Sequence, residues 1–214
     1  MSLSEAFDMT TQGSPCNWLS ARLHPLDASP PVHGYTSLTP GWTAPLTGPR
    51  EAAVLVPIID RSKALSVLLT VRSPGLSSHA SQIAFPGGRI DAGDATVVAA
   101  ALRETWEETG ITQDFITPVG RLDAFDTGTH FRIHPVVALV RPGFTAVPNP
   151  GEVEEVFEVP LAYLMDVTNH EVHTGVWNDQ ARRFHAIRFG RYFIWGATAA
   201  ILVNLSERLA DGSP

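Results

Sequence analysis

Apolar positions along the chain fall into two rhythms. The first consists of short β-branched runs. "AAVLVPII" (Ala52 to Ile59) is followed by the polar turn "DRSK" and then by "ALSVLLTVR", a pattern that predicts an antiparallel hairpin. "QIAF" predicts a third short strand, cut off by Pro86, Gly87 and Gly88. The second rhythm is helical and occupies "DATVVAAALRETWEETG". Val98, Ala101, Leu102 and Thr105 recur at helical spacing as its buried stripe, with Asp94 as the expected N-cap and Gly110 as the stop.

Strand patterns return at "FITPVGRL", "RIHPVVALV", "EEVFEVP", "EVHTGVW" and "RRFHAIRF". The last two flank Asn178-Asp179 and predict a second hairpin. "LAYLMD" reads as a short helix. "YFIWGATAAILVNL" is too short for a spanning helix and is broken by Gly196 and Asn204, so it reads as a strand end followed by a terminal helix over Ala197 to Leu209. Strands interspersed with a few separated helices predict an α+β fold with a mixed sheet between helical layers.

The first fifty residues stand apart. They hold seven of the 17 prolines and no sustained apolar period. Residues 1–50 are therefore expected to form a Pro-rich arm, with one helical turn near "NWLSARL", packed on the domain made by residues 51–214. Composition adds exclusions. With 44% hydrophobic and 17% charged residues in 214, the chain is globular in character. A formal charge of −7 argues against a nucleic-acid partner, which would call for a basic stripe. The lone Cys16 cannot form an internal disulfide, and neither a signal segment nor a membrane span is visible. Cytoplasmic localisation is expected, with no nucleic-acid or membrane partner and with a homodimer left open.

The candidate chemistry lies in "RETWEETG" (Arg103 to Gly110). On a helix, Glu104, Glu107 and Glu108 can share one side, and Arg103 can pair with Glu107 four residues on. Clustered hard oxygens suit Mg²⁺ or Mn²⁺. A charge-dense helix face can equally be a solvated surface, and a lone "PGG" can be only a tight turn. The two together on one strand–loop–helix unit are more specific, because glycines allow close approach of backbone to an ion or phosphate.

This arrangement resembles the Nudix hydrolase box, in which a leading glycine and a glutamate precede R-E-U-x-E-E-x-G-U, with U apolar. Gly88 fits the leading glycine, and Arg103, Glu104, Glu107, Glu108, Gly110 and Ile111 fit the second half. Asp94 stands where the first glutamate belongs, with one residue more than usual before Arg103, and Thr105 fills an apolar slot. Beyond the box, "LLTVRS", "HASQIAFPGG", "NPGEVEEVFEVPL" and "IWGATA" resemble the coenzyme A diphosphatase branch. Ser77 and Ser81 depart from that branch, standing in the slots of its upstream arginine and glycine.

The resemblance implies a Nudix-like α/β/α sandwich, with residues 51–214 as the Nudix domain. It implies an enzyme that hydrolyses the pyrophosphate bond of a small nucleotide substrate with Mg²⁺ or Mn²⁺ as cofactor. Gly87, Glu104, Glu107 and Glu108 are the implied metal ligands. Arg103 and the metal-site glutamates are the implied catalytic group, together with a further carboxylate from "GEVEE": Glu152 first, Glu155 second. Arg72, His79, Gly88 and Arg89 are the implied substrate contacts. The expected substrate is coenzyme A or an acyl derivative, giving 3',5'-ADP and (acyl-)4'-phosphopantetheine. The alternatives are ADP-ribose, NADH or a modified nucleoside triphosphate, and, from a different class, a non-catalytic nucleotide sensor.

Overall fold

The computed structural model describes residues 14–34, 48–61, 64–76, 79–177 and 180–211. Its first element, α1 (Pro15–Ser20), begins at an N-cap, Ser14, whose hydroxyl accepts from the Cys16 N–H, and has proline in its first turn, where a missing N–H costs no helix bond. Trp18, Leu19 and Leu23 of this segment are buried in the main core. Strand β1 (Val32–Gly34) follows, an element without a sequence signature.

Strand β2 (Arg50–Asp60) is the spine of the large sheet. It turns back antiparallel into β3 (Leu65–Arg72), the expected hairpin. "QIAF" yields only the two-residue β4 (Ile83–Ala84) on the edge of β3. The glycine pair, read from sequence as a loop, is itself a strand, β5 (Gly87–Arg89), antiparallel to Ala52–Val54.

Helix α2 (Val97–Thr109) ends as expected, with Gly110 left-handed at φ 69°. Its start differs from expectation. Thr96, not Asp94, is the N-cap, and its hydroxyl accepts from the Ala99 N–H at 3.1 Å. Asp94 is held elsewhere, by Arg103. Ala101 and Thr105 of the expected stripe are buried, while Val98 and Leu102 are partly buried against the same core.

The remaining strands are β6 (Ile116–Arg121), β7 (Ala124–Asp126), β8 (Phe131–Val140) and β9 (Val153–Pro160). Among the described residues the large sheet runs β1-β7-β8-β2-β3-β4, with β5 on β2, β6 on β8 and β9 on β3. The sheet is mixed: β2 and β8 are parallel from Arg50–Phe131 to Ile59–Val140, whereas the β2–β3 and β3–β9 pairs are antiparallel. β2 is covered on both sides, which accounts for its nearly unbroken apolar run.

On one face, α2 meets Ala53, Leu55, Ile59, Val136 and Ala138. On the other lie α1, α3 (Leu161–Met165), α4 (Ala197–Asp211) and a second sheet, β10 (Glu171–Trp177), β11 (Gln180–Phe189) and β12 (Tyr192–Trp195). The result is an α+β sandwich, a mixed sheet between helical layers. β10 and β11 form the second expected hairpin, although Asn178 and Asp179 fall outside the described residues.

A buried carboxylate ties the ends of the chain together. Asp123 accepts from Asn204 and Arg208 of α4, each at 2.8 Å, and meets His24 at 2.7 Å and His33 at 3.1 Å. Burial opposes its ionisation, but His24, Asn204 and Arg208 outweigh that and hold its pKa below the usual carboxylate range. Among the described residues no helix is long and apolar enough to cross a membrane.

Candidate active site

The alanines of α2 set the site's dimensions. Ala100 and Ala101 are fully buried and let the helix lie close to β2 and β5. Glu104 and Glu108, farther along that helix, thereby reach the two glycines. The Gly87 N–H donates to Glu108 Oε2 at 3.1 Å. A Cβ on Gly88 would lie 2.5 Å from the Glu104 carboxylate, and one on Gly87 only 2.4 Å from the Ala53 carbonyl. Gly87 also holds φ at 156°, a backbone geometry suited to glycine.

Glu108 is the unusual group. Its side chain is 3% exposed, and Arg72 approaches Oε1 only to 3.7 Å through Nη1. Burial pushes its pKa up to about 8, against the Gly87 hydrogen bond and the Arg72 charge; Glu104 and Glu152 push it further in the same direction. Glu104 is raised as well, chiefly by burial, with Glu107 and Glu152 adding repulsion. The charges of Arg72 and Arg103 do not offset that burial. Arg72 has an Nε that is buried without a hydrogen-bond partner.

Arg103 organises the neighbouring carboxylates. It donates to Asp94 through Nε at 3.0 Å and Nη2 at 2.9 Å, to Glu104 at 2.9 Å, and to Glu107 at 3.0 Å, the last being the expected pair. Its Nη2 also reaches the Arg89 carbonyl at 3.1 Å. Asp94 accordingly lies below its ordinary pKa, first because of the Arg103 hydrogen bonds. Arg103 itself is raised, mainly through Asp94.

With Glu107 drawn to Arg103, no three Asp, Glu, His or Cys side chains among the described residues form a ready-made cation cage. The donor chemistry nonetheless fits a divalent cation. The buried Glu108 and the partly buried Glu104 repel each other beside the Gly87–Gly88 backbone, and hard oxygens are what Mg²⁺ and Mn²⁺ take.

The fourth carboxylate sits on a loop fixed by two residues that have no obvious sequence signal. The Asn149 N–H donates to the Glu108 carbonyl at 2.9 Å, and its carbonyl accepts from Glu152 and Val153. Its side chain accepts from the Gly151 N–H at 3.1 Å and donates to Glu152 Oε1 at 3.3 Å. Ser73, just after Arg72, donates its N–H to the Glu152 carbonyl and its hydroxyl to that of Pro150, both at 2.9 Å. The "NPG" string is a turn signal, but its attachment to α2 is non-local.

Not every sequence candidate converges. Glu155 is engaged by Arg191 at 2.5 Å and the Tyr192 hydroxyl at 2.7 Å, on the side of the second sheet. His79 is exposed, left-handed at φ 56°, with Nδ1 against Gln82 Oε1 at 2.8 Å. Arg89 is exposed at the end of β5. Ser81 is described and Ser77 lies outside the described residues.

The NUDIX domain family model matches residues 49–180, more than half of the chain. A protein of Klebsiella pneumoniae (strain 342), "Uncharacterized Nudix hydrolase NudL", is 40% identical over 163 residues, 75% of this chain and 83% of that protein. Its namesake in Salmonella paratyphi B is 37% identical over 172 residues, 80% of this chain and 89% of the relative. Among solved structures, a MutT/nudix family protein from Enterococcus faecalis aligns over 99% of this chain and 75% of its own, with a TM-score of 0.51 at 18% identity, a likeness of fold alone. Family match and relatives agree with the glycine-lined carboxylate cluster: the chain belongs to the Nudix family and is a hydrolase acting on phosphorus-containing anhydrides, the pyrophosphate bonds of nucleoside diphosphate derivatives.

Proposed function

We propose that this enzyme hydrolyses coenzyme A or its acyl derivatives to 3',5'-ADP and (acyl-)4'-phosphopantetheine, with Mg²⁺ or Mn²⁺ as cofactor. The observation that carries this reading is Arg72. It belongs to the "LLTVRS" string of the coenzyme A branch, faces Glu108, and keeps a buried Nε without a partner. A diphosphate oxygen is the natural acceptor for such a group.

In this reading Gly87, Glu104, Glu107 and Glu108 hold the cation, which when bound supplies charge neutralisation and a more acidic water. Arg103 fixes Glu104 and Glu107, and Asp94 fixes Arg103. Arg72 and Gly88 face the diphosphate, with His79 and Arg89 at its periphery. Glu152 takes a proton from the attacking water. The water oxygen bonds to phosphorus while the bridging P–O bond breaks, and the leaving phosphate retains the bridging oxygen. Glu152 is preferred to Glu155 because Glu155 is already engaged by Arg191 and Tyr192.

Ser77 and Ser81 favour a second reading, a pyrophosphatase for ADP-ribose, NADH or a modified nucleoside triphosphate. Assaying coenzyme A, acetyl-coenzyme A, NADH and ADP-ribose with each metal separates the two. Release of 3',5'-ADP from coenzyme A supports the first reading. Turnover confined to ADP-ribose or NADH, with AMP released, overturns it.

A further inference from the structure

The second sheet ends in an open edge. β10 pairs with β11 on one side, and among the described residues no strand pairs with its other side. Soluble proteins usually blunt such edges with lysine, proline or a bulge. β10 reads EVHTGVW, without lysine or proline, and its register with β11 is continuous from Glu171–Ala186 to Trp177–Gln180. Val172 and Val176 are 47% and 74% exposed. They lie on one face with Thr174 between them, because side chains alternate along a strand.

The hairpin fixes which main-chain groups point outward. Residues 178 and 179 alone separate Trp177 from Gln180, so that closing pair exchanges both hydrogen bonds. Alternation then bonds Gly175, His173 and Glu171 inward to β11, leaving the N–H and C=O groups of Val176, Thr174 and Val172 directed off the edge.

We propose that β10 is a homodimer interface, pairing antiparallel with the same strand of a second copy about a two-fold axis at Thr174. This register sets outward-directed groups against outward-directed groups, as an antiparallel ladder requires. Thr174 faces the partner's Thr174, and Val172 faces the partner's Val176 twice over, covering the exposed valines with apolar side chains. On the opposite face Gly175 sets no side chain against the partner; Arg182 lies beside it and the Phe184 ring comes within 3.3 Å of where its Cβ would stand. Glu171 keeps its own pairing with His173 and Arg188. No like charges face one another in this register.

Sedimentation velocity on the full chain at micromolar concentration tests the proposal. The expected species has twice the chain mass of 23.1 kDa. Val176→Lys, at a largely exposed position, is expected to raise the dissociation constant at least about tenfold, with the melting temperature of the monomer retained. Directly opposed residues in a hydrogen-bonded pair lie about 5.5 Å apart between Cα atoms, within disulfide reach. On a Cys16→Ser background, Thr174→Cys should therefore cross-link two copies under oxidation, while Val172→Cys should not. A monomeric wild type, a dimer indifferent to Val176→Lys, or preferential cross-linking at 172 overturns the proposal.

Discussion

The Gly87 N–H donates to Glu108 Oε2 at 3.1 Å, yet the carboxylate it holds is buried with a pKa pushed up to about 8. One amide and a distant Arg72 do not balance the burial of a negative charge beside Glu104 and Glu152. The metal-free pocket consequently favours a proton on Glu108.

That relationship gives a pH dependence with a definite sign. Below the ordinary carboxylate value of 4.5, Glu108 is protonated whether the chain is folded or not. As pH rises toward about 8, the unfolded chain releases the proton while the folded chain keeps it. Stability is full below 4.5 and is lost as pH rises through 8, by an amount on the order of a few kcal/mol. Melting temperatures in chelator should fall across this window, and Glu108→Gln should flatten the trend. A trend equally steep in the variant refutes the assignment.

The same substitution tests the chemistry. Glu108→Gln keeps the shape and the Gly87 contact but removes a charge that a cation would need. Turnover is expected to fall by about a hundredfold or more, while the folded protein remains soluble and cooperative in melting. Isothermal titration with Mg²⁺ or Mn²⁺ should show weakened binding in parallel. A variant as active as the wild type would refute the assignment of Glu108.

The glycines give a contrasting pair. Gly88→Ala places a Cβ 2.5 Å from the end of the Glu104 side chain, which can rotate away. It should spare stability and lower turnover by about tenfold or more, since a displaced carboxylate misplaces the reacting groups. Gly87→Ala meets the Ala53 backbone at 2.4 Å with φ at 156°. It should cost at least about 2 kcal/mol of stability, visible in denaturant titration. Equal stability losses in the two variants would contradict this distinction.

These contrasts mark what the sequence could and could not convey. The end of α2 was legible because a left-handed Gly110 is a local requirement. Its start was not, because Asp94 and Thr96 are both good caps and only the folded chain brings Arg103 onto Asp94. The β2–β3 hairpin was legible from alternating runs around a turn, whereas β5 was hidden: two glycines have low strand propensity, and their pairing with β2 is non-local. The carboxylate spacing was visible along the helix, but the burial of Glu108 was not, since charge patterns alone suggest solvent. Nor could composition separate Glu152 from Glu155, which differ in where they point and in what holds them.

Arg103 and Asp94 should behave as one unit. Arg103 uses two nitrogens on Asp94 and the third on Glu104 and Glu107, so its planar fork matters as well as its charge. Arg103→Lys is expected to lower turnover by about tenfold or more, and Asp94→Ala by a smaller factor. The double variant should lose less than the product of the two, because each single change removes the same positioning. Multiplicative losses in kcat/KM would show that Asp94 acts independently of Arg103.

Ser81 offers a test beside Arg72. It holds φ at 58°, a left-handed conformation that glycine adopts without strain. The Ser81 N–H donates to the Arg72 carbonyl at 3.0 Å, and Gln82, whose carbonyl accepts from the Arg72 N–H, follows directly. The strained residue therefore clamps the backbone of the arginine that faces Glu108. Ser81→Gly relieves the side-chain clash, worth about 1 kcal/mol, but gives the unfolded chain more freedom to lose. The first effect should prevail because the native φ is positive, raising the melting temperature by a few degrees, on the order of 2–4 °C. Because the main-chain bonds to Arg72 need no side chain, kcat should be retained. A lower melting temperature would mean that the Ser81 hydroxyl contributes more than its backbone costs.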